Sequence, residues 1–533
     1  MARRAAVALL CALAMIAGAF RFTAAPGPGL DPDAMSYLGA ARGLADHGTL
    51  RIPMAPWWSD STTQPLSHFP PGYSAVLAVP VALGASTPMA ARLVQAAAAG
   101  VTGAAFVLAL WPLAGAWGAV LGALALALTP AFVFVHLSVL SEPLFLALVM
   151  LALWSFIARP RAAVWHGVIA AAATMVRYAG LSVAGAAALW ALRDTTATWR
   201  ERLRRAAMAC APSLLAMAAW SLTRARAPGR AAPIRKFAFY GDWGPTLSEG
   251  ARTIAHQLAP TLEWEPVPWL AAGATLVALG ALIWSTVRAS GEELPAAEHD
   301  DPRWPEQRLM IQAAVCLAFA YAALVVASRA MADPAIPFDF RLTVPLVPLA
   351  VAVVTVVGAR AWRVISRPAR VFGALALLGW MAASVRANYQ QITDALADGG
   401  DIASSAWRDS PTLGWARAQD PARALYTNWP CAIWFHLDRR VRDLPTTTDP
   451  ATLRAFVARL RATHGVVIAW YLQSVETAHT DSIASRAGLV KVATFDDGSV
   501  YEAPPAEVLP PTAPSVPSAA APSAAVAPPP RRR

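Results

Sequence analysis

Apolar runs of about twenty residues, separated by short polar gaps, recur along most of the chain. A helix of that length crosses a hydrocarbon core of about 30 Å, so the pattern predicts an α-helical polytopic membrane protein. The runs fall at about 5–20, 88–110, 117–135, 140–158, 164–176, 179–192, 206–222, 266–287, 309–328, 343–360 and 370–387, which makes about eleven crossings. The first, behind Arg3 and Arg4, reads either as an uncleaved span or as a cleavable signal peptide. Residues 21–87 are polar to mixed and too rich in Pro and Gly to form a span. There is no internal repeat.

From about residue 389 the pattern changes. Ala424–Trp429 and Gly465–Trp470 read as buried strands. Between them, Pro450–His464 places Leu453, Phe456, Val457 and Leu460 on one helical face. Strand, helix and strand in alternation predict a small α/β module. The segment after it, rich in Pro, Ala and Ser and ending in three arginines, is expected to be disordered. The expected organisation is a transmembrane domain over 1–388, a small α/β domain over 389–503 and a tail over 504–533.

Composition strengthens this picture. Hydrophobic residues make up 56% of the 533 positions and charged residues 14%, against about 25% charged in an ordinary soluble domain. A conventional cytosolic enzyme, a disordered scaffold and a disulfide-framework secreted protein are therefore excluded. The net charge is +11, carried almost wholly by arginine, since Lys236 and Lys491 are the only lysines. A basic balance in a soluble protein points to nucleic acid. Here the arginines cluster in the gaps between apolar runs, where they set topology, and no nucleic-acid partner is expected. The four cysteines, Cys11, Cys210, Cys316 and Cys431, show no metal or disulfide spacing.

The arginine clusters at 159–161, 193–205 and 360–370 belong on the cytoplasmic side. Two such gaps on one side need an even number of crossings between them, which a pair of short helices turning at Arg177-Tyr178-Ala179-Gly180 supplies. The same reasoning places 21–87, 136–141, 223–265, 329–342 and everything after 388 outside. The polar regions large enough for chemistry are then extracytoplasmic.

Asp33 stands a dozen or so residues past the first run, at the start of a helical pattern. It is placed to take a proton from an acceptor hydroxyl; the alternative is that Asp31 or Asp33 only caps that helix. Glu142 opens a span, where an acid is a site or a dipole-favoured first residue. Arg177 at its turn either neutralises a lipid-linked phosphate or pairs with Glu142. Arg341, before another span, has the same two readings. His68 in the first loop touches a phosphate or metal, or neither. Arg235, Lys236 and Tyr240 mix cations and aromatics in a manner suited to a sugar or phosphate groove.

The pattern Asp33-x-x-x-Tyr37-x-x-Ala40-Ala41, Gly48, Pro70-Pro71-Gly72-Tyr73 and Gly84 resembles the GT-C glycosyltransferases, and more narrowly their protein-mannosyltransferase-like and lipopolysaccharide-core (Rgt-like) branch. Ser141-Glu142-Pro-Leu-Phe145, Arg177-Tyr-Ala-Gly180 and Phe340-Arg341-x-x-x-Pro345-x-x-Pro348 extend the resemblance over about residues 5–390. The resemblance implies a plasma (inner) membrane glycosyltransferase with an extracytoplasmic site. It implies a polyprenyl-phosphate-linked sugar donor, a glycan, lipid or protein acceptor, inversion at the anomeric carbon and Asp33 as base. Ala34 stands where the family often has Glu, so no metal or other cofactor is indicated. A transporter, a lipid flippase or a non-catalytic assembly subunit is the alternative.

Overall fold

The computed structural model describes residues 2–225, 238–241, 243–258, 260, 303–332, 336–471 and 474–505. The apolar run expected at 266–287 and the segment 506–533 lie outside them.

The apolar runs fold as helices. Helix α1 (Ala2–Phe22) is followed by α2 (Pro32–His47) and α3 (Gly72–Ala82) in the first loop. Then come α4 (Thr87–Leu128), α5 (Pro130–Leu137), α6 (Glu142–Ala158), α7 (Ala163–Val176), α8 (Leu181–Leu192), α9 (Trp199–Ala225) and α10 (Gly244–Leu258). Helices α11 (Trp304–Met331), α12 (Val347–Val364) and α13 (Arg367–Asp398) close the bundle. Six helical stretches among the described residues are long and apolar enough to cross a membrane, and four further apolar helices are shorter. The chain is a multi-pass membrane protein.

Two turns decide how the bundle is threaded. Helix α4 has 42 residues, about 63 Å if straight at 1.5 Å per residue, twice the hydrocarbon core. It breaks at Gly115, whose φ of 76° and ψ of 178° are non-helical and suit a residue without a Cβ. The chain folds back there: a Cβ at Gly122 would stand 3.0 Å from the ring of Phe106. The two runs expected at 88–110 and 117–135 are thus the arms of one hairpin. The second turn joins α7 to α8 through Tyr178–Gly180. Gly180 has an ordinary φ of −62°; what it supplies is closeness, because a Cβ would overlap the backbone of Ala173 and Thr174.

The C-terminal region is an α/β unit with a six-stranded sheet. Its strands are β4 (Leu425–Thr427), β5 (Val441–Arg442), β6 (Val466–Trp470), β7 (Val490–Phe495) and β8 (Gly498–Glu502). The sixth strand, β2 (Met54–Ala55), comes from the loop between α1 and α4, after the short β1 (Arg51–Ile52) and before β3 (Gln64–Pro65), which pairs with β1. The order is β2-β5-β4-β6-β8-β7, with β2, β5, β4 and β6 parallel and the last two antiparallel. Side chains alternate across the sheet. Leu425, Val466, Ile468, Trp470 and Val500 join the hydrophobic core that continues into the helical bundle. Tyr426, Val467, Ala469 and Tyr501 face the other way, onto Phe456 and Leu460 of the amphipathic helix α16 (Pro450–Ala462), which follows α14 (Pro411–Arg417) and α15 (Pro430–Leu437).

Strand β2 makes the first loop and the C-terminal unit one body. Arg42 pairs with Asp438, Arg459 with Asp60 at 2.6 Å, and the amide of Trp57 donates to Asp443 at 2.8 Å. Asp438, just after α15, is thereby tied to α2. Cysteines placed at Ser61 and Ser482, in a background lacking the native four, should label with an impermeant maleimide from the same face of oriented vesicles. Labelling from opposite faces would break the sheet and remove a crossing.

Candidate active site

The start of α2 is held from two sides. Gly29 and Leu30 lie between Leu137–Val139 and Gly400–Ile402. The Gly29 amide donates to Leu137 O at 2.9 Å, Val139 to Gly29 O at 2.8 Å and Ile402 to Leu30 O at 3.0 Å. This clamp brings the first loop, the end of α5 and the segment just after α13 together. Asp31 then caps α2, accepting from the Ala34 amide at 2.7 Å, with Pro32 in the first turn. The capping role thus belongs to Asp31. Asp33, also in the first turn, has its carboxylate turned to Arg341, and its side chain is 36% exposed.

Arg341 sits in the single helical turn Phe340–Thr343 ahead of α12, itself capped by Asp339. Its guanidinium serves three acids at once. Nε donates to Glu142 at 2.9 Å, Nη1 to Asp31 at 3.1 Å and Nη2 to Asp33 at 2.9 Å. Glu142 is fully buried at the first position of α6 and also meets Arg177 at 2.7 Å. Arg177, at the end of α7, donates to Ser141 Oγ at 2.9 Å. The Tyr37 hydroxyl lies 3.3 Å from that same oxygen. The Tyr37 ring stands between Phe69 and Tyr73, at centroid distances of 4.6 and 5.0 Å. The Tyr73 hydroxyl is buried without a hydrogen-bond partner among the described residues.

Four residues singled out from the sequence, Asp33, Glu142, Arg177 and Arg341, therefore form one cluster. Asp31 and Ser141 belong to it as well. Asp31 was legible as one of two capping candidates, and Ser141 as part of a motif. His68 lies apart, exposed, with its ring edge-on to Phe69 at 5.5 Å. Tyr240 is held by its backbone, its amide donating to Ala330 O at 2.8 Å at the end of α11. Arg235 and Lys236 lie outside the described residues.

Burial pushes the Asp31 carboxyl up to about 7, and the neighbouring Asp33 adds to the effect; the Ala34 amide and Arg341 pull the other way. At neutral pH Asp31 is therefore partly protonated. Burial likewise raises the Tyr37 phenol and the Asp401 carboxyl. No group of three or more His, Cys, Asp or Glu able to hold a metal occurs among the described residues.

The fold has counterparts in solved structures. The crystal structure of ArnT from Cupriavidus metallidurans bound to undecaprenyl phosphate matches with a TM-score of 0.54 at 14% identity, over 95% of this chain and 99% of that one. The cryo-EM structure of the arabinofuranosyltransferase AftD from Mycobacteria matches with a TM-score of 0.50 at 18% identity, over 94% of this chain and 39% of AftD. The chain thus spans about two fifths of AftD. No family model and no curated protein matches the sequence. The chain shares the fold of these two proteins.

Proposed function

We propose that the protein is an inverting membrane glycosyltransferase that takes a sugar from a polyprenyl-phosphate donor at the extracytoplasmic face of the plasma (inner) membrane. The acceptor is a glycan, lipid or protein. The observation that carries this reading is the Arg341 fork, which ties the half-exposed Asp33 to the buried Glu142–Arg177 pair. It is supported by the shared fold with ArnT, solved with undecaprenyl phosphate.

The chemistry follows from the charges. Asp33 takes the proton of the acceptor hydroxyl, whose oxygen attacks the anomeric carbon from the face opposite the phosphate. As the glycosidic C–O bond to phosphate breaks, negative charge grows on the leaving polyprenyl phosphate. In the same step Asp33 loses its own charge to the incoming proton. Arg341 is thereby released from Asp33 and, with Arg177, stabilises the leaving group. Glu142, with no exposed side-chain surface, orients both guanidiniums without touching substrate. A transporter is disfavoured by the position of the cluster: it lies at helix ends and in an extramembrane loop, not midway along broken, repeat-related spans.

The test is purified protein in lipid, supplied with polyprenyl-phosphate sugars and scored for release of lipid phosphate, with Asp33→Asn as control. A wild-type protein that releases none above a protein-free control across a panel of donors and acceptors would sink the reading. Asp31 adds a pH signature. Its deprotonation changes the charge of the cluster by one, so the pH profile of transfer should show an inflection near 7. Asn caps about as well as Asp. Asp31→Asn should therefore fold normally, keep transfer measurable and lose that inflection. A profile unchanged by Asp31→Asn would assign the inflection elsewhere.

A further inference from the structure

At the end of α7 opposite Arg177, about 21 Å away along the helix by its rise, the surface carries a second feature. An open cavity of about 530 Å³ lies between the start of α7 and the start of α9. Its lining combines a charged set, Arg161, Arg204 and Arg205 with Glu201 among them, and an apolar set, Trp165, Val168 and Met208. The residues bounding this end, Arg159 to Arg161 and Arg193 to Arg205, contain seven arginines against two acids, Asp194 and Glu201. Those two acids hold the guanidiniums in place. Asp194 meets Arg161 at 3.3 Å and Arg205 at 3.0 Å; Glu201 meets Arg204 at 2.8 Å and Arg205 at 2.7 Å. Arg205 is thus a fixed member of the charged set. Arg161 and Arg204 are each 64% exposed, Arg161 also donating to Thr196 Oγ1 at 2.9 Å and Arg204 to Met208 Sδ at 3.6 Å.

We propose that this groove binds an anionic phospholipid of the leaflet opposite the carboxylate–arginine cluster. The occupant follows from the two unlike sets. A phosphodiester accepts hydrogen bonds from planar guanidinium forks, and basic pockets between membrane helices suit anionic head groups. A soluble phosphate would gain nothing from the apolar set. A lipid lays its acyl chains along it, against Trp165 and Val168, which are 46% and 47% exposed. An exposed tryptophan at this level is also where membrane proteins place their interfacial aromatics. The groove lies on the helix that ends in Arg177, so its occupant braces the element carrying one cation of the proposed site.

The experiment is lipid retention by the full-length protein in mild detergent, followed by native mass spectrometry. The probes are dioleoylphosphatidylglycerol, dioleoylphosphatidylcholine and inorganic phosphate. Phosphatidylglycerol should be retained in preference to phosphatidylcholine, and inorganic phosphate should not displace it. The double variant Arg161→Gln/Arg204→Gln should weaken phosphatidylglycerol about 25-fold, about fivefold for each arginine, with phosphatidylcholine unchanged. Trp165→Ala should weaken it too, without touching the charged set. Equal retention of the two lipids would overturn the proposal, as would unchanged affinity in the double variant. Displacement by millimolar phosphate would show an anion site without a lipid, and would overturn it equally. None of these readouts depends on sugar transfer, so the result stands apart from that of the donor assay.

Discussion

Asp33→Asn is expected to lower sugar transfer by two orders of magnitude or more, because a general base contributes about 10²–10⁴-fold to rate. The substitution keeps the volume and one hydrogen-bonding oxygen for Arg341 but removes the basicity. Its structural cost should be small. Asp33 is not the cap of α2, and its carboxylate is 36% exposed, where ion pairs contribute up to about 1 kcal/mol. Donor binding and thermal stability should therefore stay close to wild type while turnover collapses. Near-wild-type transfer by this variant would remove Asp33 as the base. The role would then pass to Asp31, whose carboxyl at about 7 is already poised for proton transfer, and Asp31→Asn would carry the loss instead.

The second large effect is on stability. Glu142 has no exposed side-chain surface and faces Arg177 at 2.7 Å and Arg341 at 2.9 Å. Glu142→Ala leaves two guanidiniums without their shared counter-ion. Removing one partner of a buried ion pair costs about 3–5 kcal/mol, so the variant should melt far below wild type in detergent. The pair being a unit, Glu142→Ala/Arg177→Met should lose less than the sum of the single variants, because the stranded cation leaves together with the acid. A Glu142→Ala protein as stable as Asp33→Asn would show that Glu142 is not the anchor of the cluster.

These two acids illustrate how legible the site was in the chain. Asp33 is readable because a local rule brings it forward: a carboxylate at the start of a helical pattern, just past an apolar run. Glu142 is readable because an acid opening an apolar span is costly without a reason. What neither position reveals is the other. Asp33 and Arg341 are 308 residues apart in sequence, and many arginines in this chain were equally eligible as partners. The capping ambiguity between Asp31 and Asp33 was also beyond local reading, since both stand beside Pro32 at the helix start. The side-chain directions of the folded protein assign the cap to Asp31 and leave Asp33 turned toward Arg341.

The same division holds for the fold. Helices and the strands at Leu425–Thr427 and Val466–Trp470 follow from periodicity, because the partition of side chains between water and an apolar interior acts residue by residue along the chain. Apolar runs, arginine gaps and the Pro- and Gly-rich first loop thus determined a membrane bundle with an α/β appendage. Strand β2 carries no such pattern. It is two residues long, lies in a proline-rich loop, and becomes a strand only because β5, from nearly four hundred residues later, offers it hydrogen bonds. The reversal at Gly115 and the burial that shifts Asp31 are of the same kind. Each depends on which distant surface arrives beside it, and that is decided only when the bundle and the sheet close around the start of α2.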